Sequence, residues 1–375
     1  MRAAATRAAA ARDATDSRIV EWTAALALGI APASAPPEWE LLFHFTVRER
    51  CAAAAWLRSA ALIRALAPAI VAEQWRRYTH SSCVAGCAQL TDAAEIAALA
   101  QTLGIFPVVL KGAPLALKLY GDAGARCSDD VDLFVRREYR DAFAGLVGEL
   151  GWRLLWGNRD GDENFVRERS GTHSYVEVHS SLLQARRSPC SFAPDSRTLR
   201  HGDGALLAQD GLSELPYLAF NAAKHRHPPL GRFLDLLMYW DGLGEPVRHA
   251  TSAAARQLGL SRYLEWALHR SHLLERAARG DRTAVAAMGY RGTGHRDAHP
   301  AWRHIGLSGS YRDAVRFVGS YVVPPWQRTA YGAGLSGSLR RLSTRARRGS
   351  WTRAARSWRD LLPRWQERRL SGEAK

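Results

Sequence analysis

Apolar and polar positions change period more than once along this chain. Residues 38–103 are rich in Ala, Leu and Arg and lack strand-like alternation, so they predict several helices. One is expected from about Glu49 to Val71. Another is expected from Thr91-Asp92, which offers an N-cap ahead of "AAEIAALAQTL". After Gly104 the pattern shortens. "IFPVVL" (105–110) reads as a short buried strand with Pro107 at its start, and Lys111-Gly112 makes a turn. Pro114 then falls in the first turn of a helix that Gly121 stops. "DDVDLFV" reads as a second strand, and "EYRDAFAGLVGEL" (138–150) as an amphipathic helix ended by Gly151. "WRLLW", "ENFVRER" and "HSYVEVH" follow as strands, the last two joined as a hairpin at Ser170-Gly171-Thr172. From Glu214 the pattern is helical again, through "ELPYLAFNAAKH" and "GRFLDLLMYWDGL".

This divides the chain into a loosely ordered N-terminus (1–37), a helical region (38–103), an α/β core (104–190), a second helical region (191–327) and a basic tail (328–375). An apolar content of 47% with 23% charged residues is that of a soluble globular protein. The dominance of Arg and Ala reads as a GC-rich bacterial genome. The net charge of +16 is peripheral: residues 328–375 hold twelve arginines and Lys375 against Asp360, Glu367 and Glu373, whereas residues 101–190 balance. Five cysteines at irregular spacing argue against a disulfide framework and for a reducing, cytoplasmic setting. No run of eighteen apolar residues predicts a transmembrane span. "IVEWTAALALGIAPASAP" (19–36) imitates a signal peptide only faintly, because Glu21 interrupts it.

The chemistry gathers in the core. A strand alternates its side chains, so Asp130 and Asp132 share one face while Val131, Leu133 and Val135 take the other. Likewise Tyr175, Glu177 and His179 share a face, opposite Val176 and Val178. Were the two strands adjacent and in register, Asp130, Asp132 and Glu177 would converge on one small volume, and divalent cations are the usual answer to such crowding. The competing reading is a solvated acidic turn. Lys111-Gly112-Ala113-Pro114 shifts the balance, since a strand running into a glycine turn and a helix start presents backbone N–H groups to a phosphate.

"VVLKGAPLALKLYGDAGARCSDDVDLFV", "YVEVHSSLL" and "HRHPPLGRFLDLLMY" resemble the bacterial uncharacterised nucleotidyltransferase family, within the DNA-polymerase-β-like superfamily. The likeness covers roughly residues 38–245. It implies an α+β fold: a polymerase-β-like nucleotidyltransferase core with a mixed sheet, flanked by N- and C-terminal helical regions. It further implies ATP or another nucleoside triphosphate as co-substrate and two Mg²⁺ ions. Carried over, Lys111 and Gly112 hold phosphates, Asp130 and Asp132 bind metal, and Glu177 is the third carboxylate. Arg126 pairs with the triphosphate or with Asp130, against a turn-stabilising ion pair as the competing reading, and His179 orients Glu177 or reaches the nucleotide, against a buried hydrogen-bonded histidine. His225, Arg232 and Asp235 fall where the family places similar residues, with helix packing the default for Asp235. Ala113 departs from the usual Ser or Gly after the turn, and the stretch from Gly112 to Asp130 is long.

Three functions follow as expectations: nucleotidylation of a small molecule, peptide or protein; an RNA-directed transferase; or a degenerate nucleotide-binding regulator. The tail bears on the choice. Trp351, Trp358 and Trp365 recur every seven residues among arginines, which suits a helix packed on the body, a nucleic-acid contact or an interfacial membrane helix.

Overall fold

A computed structural model describes residues 17–126, 128–157, 162–169, 172–183, 193–225, 228–288, 290–291 and 294–295. The tail from 328 and its tryptophans lie outside these residues, as do Cys127 and Cys190.

Residues 17–28 form α1, followed by α2 (Trp39–Arg48), α3 (Ala52–Leu66) and α4 (Ala69–Thr102). The expectation of a disordered or loosely ordered N-terminus over 1–37 meets a helix at 17–28, and residues 1–16 lie outside the described ones. In α1, Ile19, Val20, Trp22 and Leu26 are buried in one apolar cluster with residues of α3, α8 and α10. The single helix expected from Glu49 to Val71 is also divided. The chain turns sharply at Arg50, whose φ is +57°, and Pro68 sets the start of the next helix. No helix starts at Thr91. α4 runs through it, because Thr91 Oγ1 donates back to the Cys87 carbonyl at 3.0 Å and Asp92 is occupied by Arg167. By length and composition alone α4 could cross a membrane. Its Leu90, Ala93, Ile96 and Ala100 are nevertheless built into the sheet's core.

β1 (Val108–Leu110), α5 (Gly112–Tyr120), β2 (Val131–Phe134), α6 (Arg140–Glu149), β3 (Arg153–Gly157), β4 (Asp162–Arg169), β5 (Thr172–His179), β6 (Ser196–His201) and β7 (Gly204–Gln209) follow. All seven strands form one mixed sheet in the order β3-β4-β5-β2-β1-β7-β6. β2 lies at its centre, antiparallel to β1 and parallel to β5. β6 and β7 were not anticipated, and they carry the sheet past the 104–190 segment to Gln209. α7 (Glu214–Ala223), α8 (Leu230–Asp241), α9 (Glu245–Gln257), α10 (Ser261–Ala278) and α11 (Arg282–Ala287) complete the body, with the short pair β8 (Tyr290–Arg291) and β9 (Gly294–His295) beyond.

Alternation decides which face does what. Val109, Val131, Leu133, Val176 and Val178 pack against α4 and against Phe143, Leu146 and Val147 of α6. On the opposite face Val108, Leu110 and Phe134 meet Tyr217 and Phe220 of α7 and Tyr263 of α10. The acidic residues of β2 and β5 emerge on that second face.

Candidate active site

The site starts from a turn. Lys111 leaves β1 with φ +36° and ψ −140°, a conformation that L-residues rarely adopt, and Gly112 follows at φ +56°. Such strain costs about 1–3 kcal/mol and persists only where surrounding structure enforces it. The result is the N-terminus of α5 facing the end of β2. Lys111 does not reach into solvent. Its Nζ lies 3.0 Å from Asp132 Oδ2.

Asp132 is 1% exposed and stands at the centre of the cluster. Parallel pairing of β2 with β5 puts it directly opposite Glu177. His179, two residues on, donates from Nε2 to Asp132 Oδ1 at 3.0 Å and from Nδ1 to Asp162 Oδ1 at 3.1 Å. Asp162 comes from β4, opposite His179 in the antiparallel register. It was absent from the expected set. The electrostatics follow from this arrangement. Burial alone would raise the Asp132 carboxyl, but Lys111 and the His179 bond outweigh it and hold it well below the usual carboxylate range. Burial would likewise lower His179, yet its bonds to Asp132 and Asp162 carry it up to about 9. The imidazole is therefore a cation that donates from both nitrogens. Asp130 is raised, first by burial and then by the charge of Asp132.

Among the described residues, Asp132, Glu177 and His179 each place a ligand atom within 4.8 Å of the others. Asp130 lies outside that group and accepts from Ser128 Oγ at 3.3 Å, although its pKa registers the charge of both Asp132 and Glu177. Whether a divalent cation fits can be judged from Asp132 Oδ2. It is buried, and its one close partner is the Lys111 ammonium at 3.0 Å. Two carboxylates on neighbouring strands, one with an unused lone pair, match the oxygen-rich demand of Mg²⁺. His179 suits that ion poorly while protonated, and it serves instead to fix the Asp132 carboxylate.

Arg126 forms an ion pair that holds the loop, one of the readings its position allowed. Its Nε donates to Asp235 Oδ2 at 2.6 Å, and Asp235 also accepts from Tyr120 at 2.9 Å. Asp235 thus clamps the loop ahead of β2 to α8, more than a packing contact. Asp129 meets Arg50 at 2.5 Å on the surface, in keeping with a turn residue.

The raised His179 pKa has a stability consequence in metal-free protein. A group raised from 6.5 to about 9 on folding contributes stability that is complete below 6.5 and lost as pH climbs through 9. Unfolding free energy is expected to fall over that interval by on the order of 2–3 kcal/mol. Denaturant titrations in EDTA at stepped pH read this directly, and His179→Gln should flatten the slope.

A mixed sheet that presents paired carboxylates beneath a glycine turn and a helix N-terminus is the architecture of a nucleotide-handling transferase. The model of the uncharacterised nucleotidyltransferase family matches residues 35–275, and the chain belongs to that family. Family membership makes it an enzyme of nucleotidyl transfer. No curated protein matches it. Two solved structures are similar at low identity. The antibiotic-resistance factor ANT(2'')-Ia is 18% identical, over 49% of this chain and 98% of its own, with a TM-score of 0.33. An antigenic nucleotidyltransferase-like protein from Paracoccidioides brasiliensis is 15% identical, over 47% of this chain and 91% of its own, with a TM-score of 0.31.

Proposed function

We propose that this enzyme transfers a nucleoside monophosphate, AMP from ATP, to a hydroxyl of a small molecule, peptide or protein and releases pyrophosphate. The observation that carries the reading is the pairing of Asp132 with Glu177 across β2 and β5, with Asp130 two residues before. Asp132 and Glu177 would hold Mg²⁺, with Asp130 beside them. The bound ion would supply charge neutralisation for the triphosphate and a lowered pKa for the attacking hydroxyl.

The remaining work falls to the chain. Backbone N–H groups at the Gly112 turn and the positive end of α5 orient the phosphates. Lys111 neutralises Asp132 before substrate arrives, and its ammonium is then placed to meet a phosphate oxygen. His179, held by Asp162, keeps the Asp132 carboxylate in one orientation. The acceptor oxygen bonds to the α-phosphorus as the bond to the bridging oxygen breaks, and that electron pair leaves on pyrophosphate. Glu177, whose side chain is 25% exposed, is the carboxylate that can meet the hydroxyl and take its proton.

The test uses ATP labelled at the α-phosphate with protein, small-molecule and RNA fractions as separate acceptors. Label should pass to a protein or small-molecule fraction with matching pyrophosphate release, and EDTA should stop both. Transfer to RNA alone would replace the acceptor class. No transfer from any triphosphate would remove the reading.

A further inference from the structure

Where α7 and α8 meet beside the second sheet face, two buried donors lack acceptors among the described residues. They are Asn221 Nδ2 and Arg232 Nε. Asn221 is 3% exposed, on the same side of α7 as Tyr217 one turn earlier. That stripe faces the site: the Tyr217 phenol is raised by burial and then by the charges of Asp132 and Glu177. Arg232 begins α8 and reaches toward it, with Nη1 3.5 Å from the Asn221 backbone carbonyl, at the limit of a hydrogen bond.

The position of Arg232 is enforced. Leu230 N–H donates to Glu49 Oε2 at 3.1 Å and Gly231 N–H to the Glu49 carbonyl at 2.9 Å, which ties α8 to the α2–α3 corner. A Cβ on Gly231 would stand 2.6 Å from the Arg50 carbonyl oxygen, so the two backbones touch there. Arg50 and Arg232 are thereby brought to one rim, where Arg50 answers Asp129 and Arg126 answers Asp235. Among the described residues no carboxylate forms an ion pair with Arg232, and Asp235 and Asp132 act on it only from a distance. Burial, then the charges of Arg126 and Arg50, push its guanidinium down to about 10. Leaving a buried donor unmade costs about 1–3 kcal/mol, and more for a charged one. Both orphans here are donors, so the missing partner is an acceptor, and a guanidinium with no carboxylate in contact favours an anionic one.

We propose that Asn221 and Arg232 form a polyphosphate subsite, taking non-bridging oxygens of the β- and γ-phosphates. Charge-assisted bonds from a fixed guanidinium suit phosphate oxygens, and two donors on different helices require a ligand with several of them. The source of the polyphosphate rests on the nucleotidyl-transfer reading; the subsite itself does not.

Calorimetric titration of the full chain with inorganic tripolyphosphate in EDTA tests this without turnover. Wild type should bind. Arg232→Gln should weaken binding by about tenfold or more. Asn221→Asp should pair internally with Arg232, fold at least as firmly as wild type and lose binding further. Asp132→Asn should not weaken it. Wild-type affinity in folded Arg232→Gln and Asn221→Asp proteins overturns the subsite, as does absence of binding by wild type. If both variants lose tripolyphosphate while no triphosphate supports transfer, the subsite stands and the reaction reading falls. If transfer occurs but neither variant changes the affinity, the reverse holds.

Discussion

Asp132→Asn is expected to reduce pyrophosphate release from ATP by at least about 10³-fold while the protein still folds. The amide keeps the volume of a side chain that is 1% exposed, so the sheet's packing survives. Its charge does not survive. Lys111 at 3.0 Å and His179 at 3.0 Å both pair with this carboxylate, and His179 keeps only Asp162 at hydrogen-bond distance without it. With the charge removed, His179 should give up its proton and titrate below about 9, a shift that histidine NMR resonances report independently of catalysis. Thermal melts should remain cooperative at a lower midpoint, because a buried cation left without its partner is costly. Turnover like that of wild type would remove the catalytic role given to Asp132.

The largest effect on stability is expected from Gly124→Ala. A Cβ there would lie 2.2 Å from the Cys83 nitrogen and 2.3 Å from its Cα, both backbone atoms of α4 that no rotamer change can move. The contact is reciprocal, since a Cβ on Gly86 would stand 2.4 Å from the Ala123 carbonyl oxygen. Ser82 Oγ locks the same junction by donating to the Gly124 carbonyl at 2.6 Å, and Gln89 donates to the Ser128 carbonyl at 2.8 Å. α4 is thus the surface on which the loop carrying Arg126 and Asp130 is shaped. We expect a loss of roughly 3 kcal/mol or more, together with impaired activity from the displaced loop. Gly86→Ala should act similarly. The double variant should lose less than the sum, because one contact is broken twice. Gly145 in α6 has open space around its Cβ position and is the control, with Gly145→Ala neutral or mildly stabilising. Chemical denaturation of the four proteins measures all of this.

The parts of this structure that alternation controls were legible in the sequence. Val131 and Leu133 against Asp130 and Asp132, and Val176 and Val178 against Glu177 and His179, fixed which face each strand would bury. Asp162 was within reach of the same reasoning. Arg169 pairs with Thr172, so counting outward along the hairpin sets Asp162 opposite His179. β6 was not legible, because as an edge strand it alternates half-buried with exposed positions and offers no apolar stripe. The His201-Gly-Asp-Gly204 stretch between β6 and β7 was the available signal. Thr91-Asp92 misled because capping residues also occur mid-helix when their side chains find other partners. Arg126 with Asp235, 109 positions apart, and Glu49 with Leu230, 181 apart, depend on tertiary packing that no local pattern encodes.

The proposed chemistry depends on Asp132 and Glu177 acting as one cation-binding pair from strands 45 positions apart in the chain but adjacent in the sheet. Titration with Mn²⁺ followed by electron paramagnetic resonance, in the presence of ATP, tests that pairing without knowledge of the acceptor. Wild type should bind the ion, and Asp132→Asn and Glu177→Gln should each weaken it severely. Undiminished Mn²⁺ binding by both single variants would contradict it.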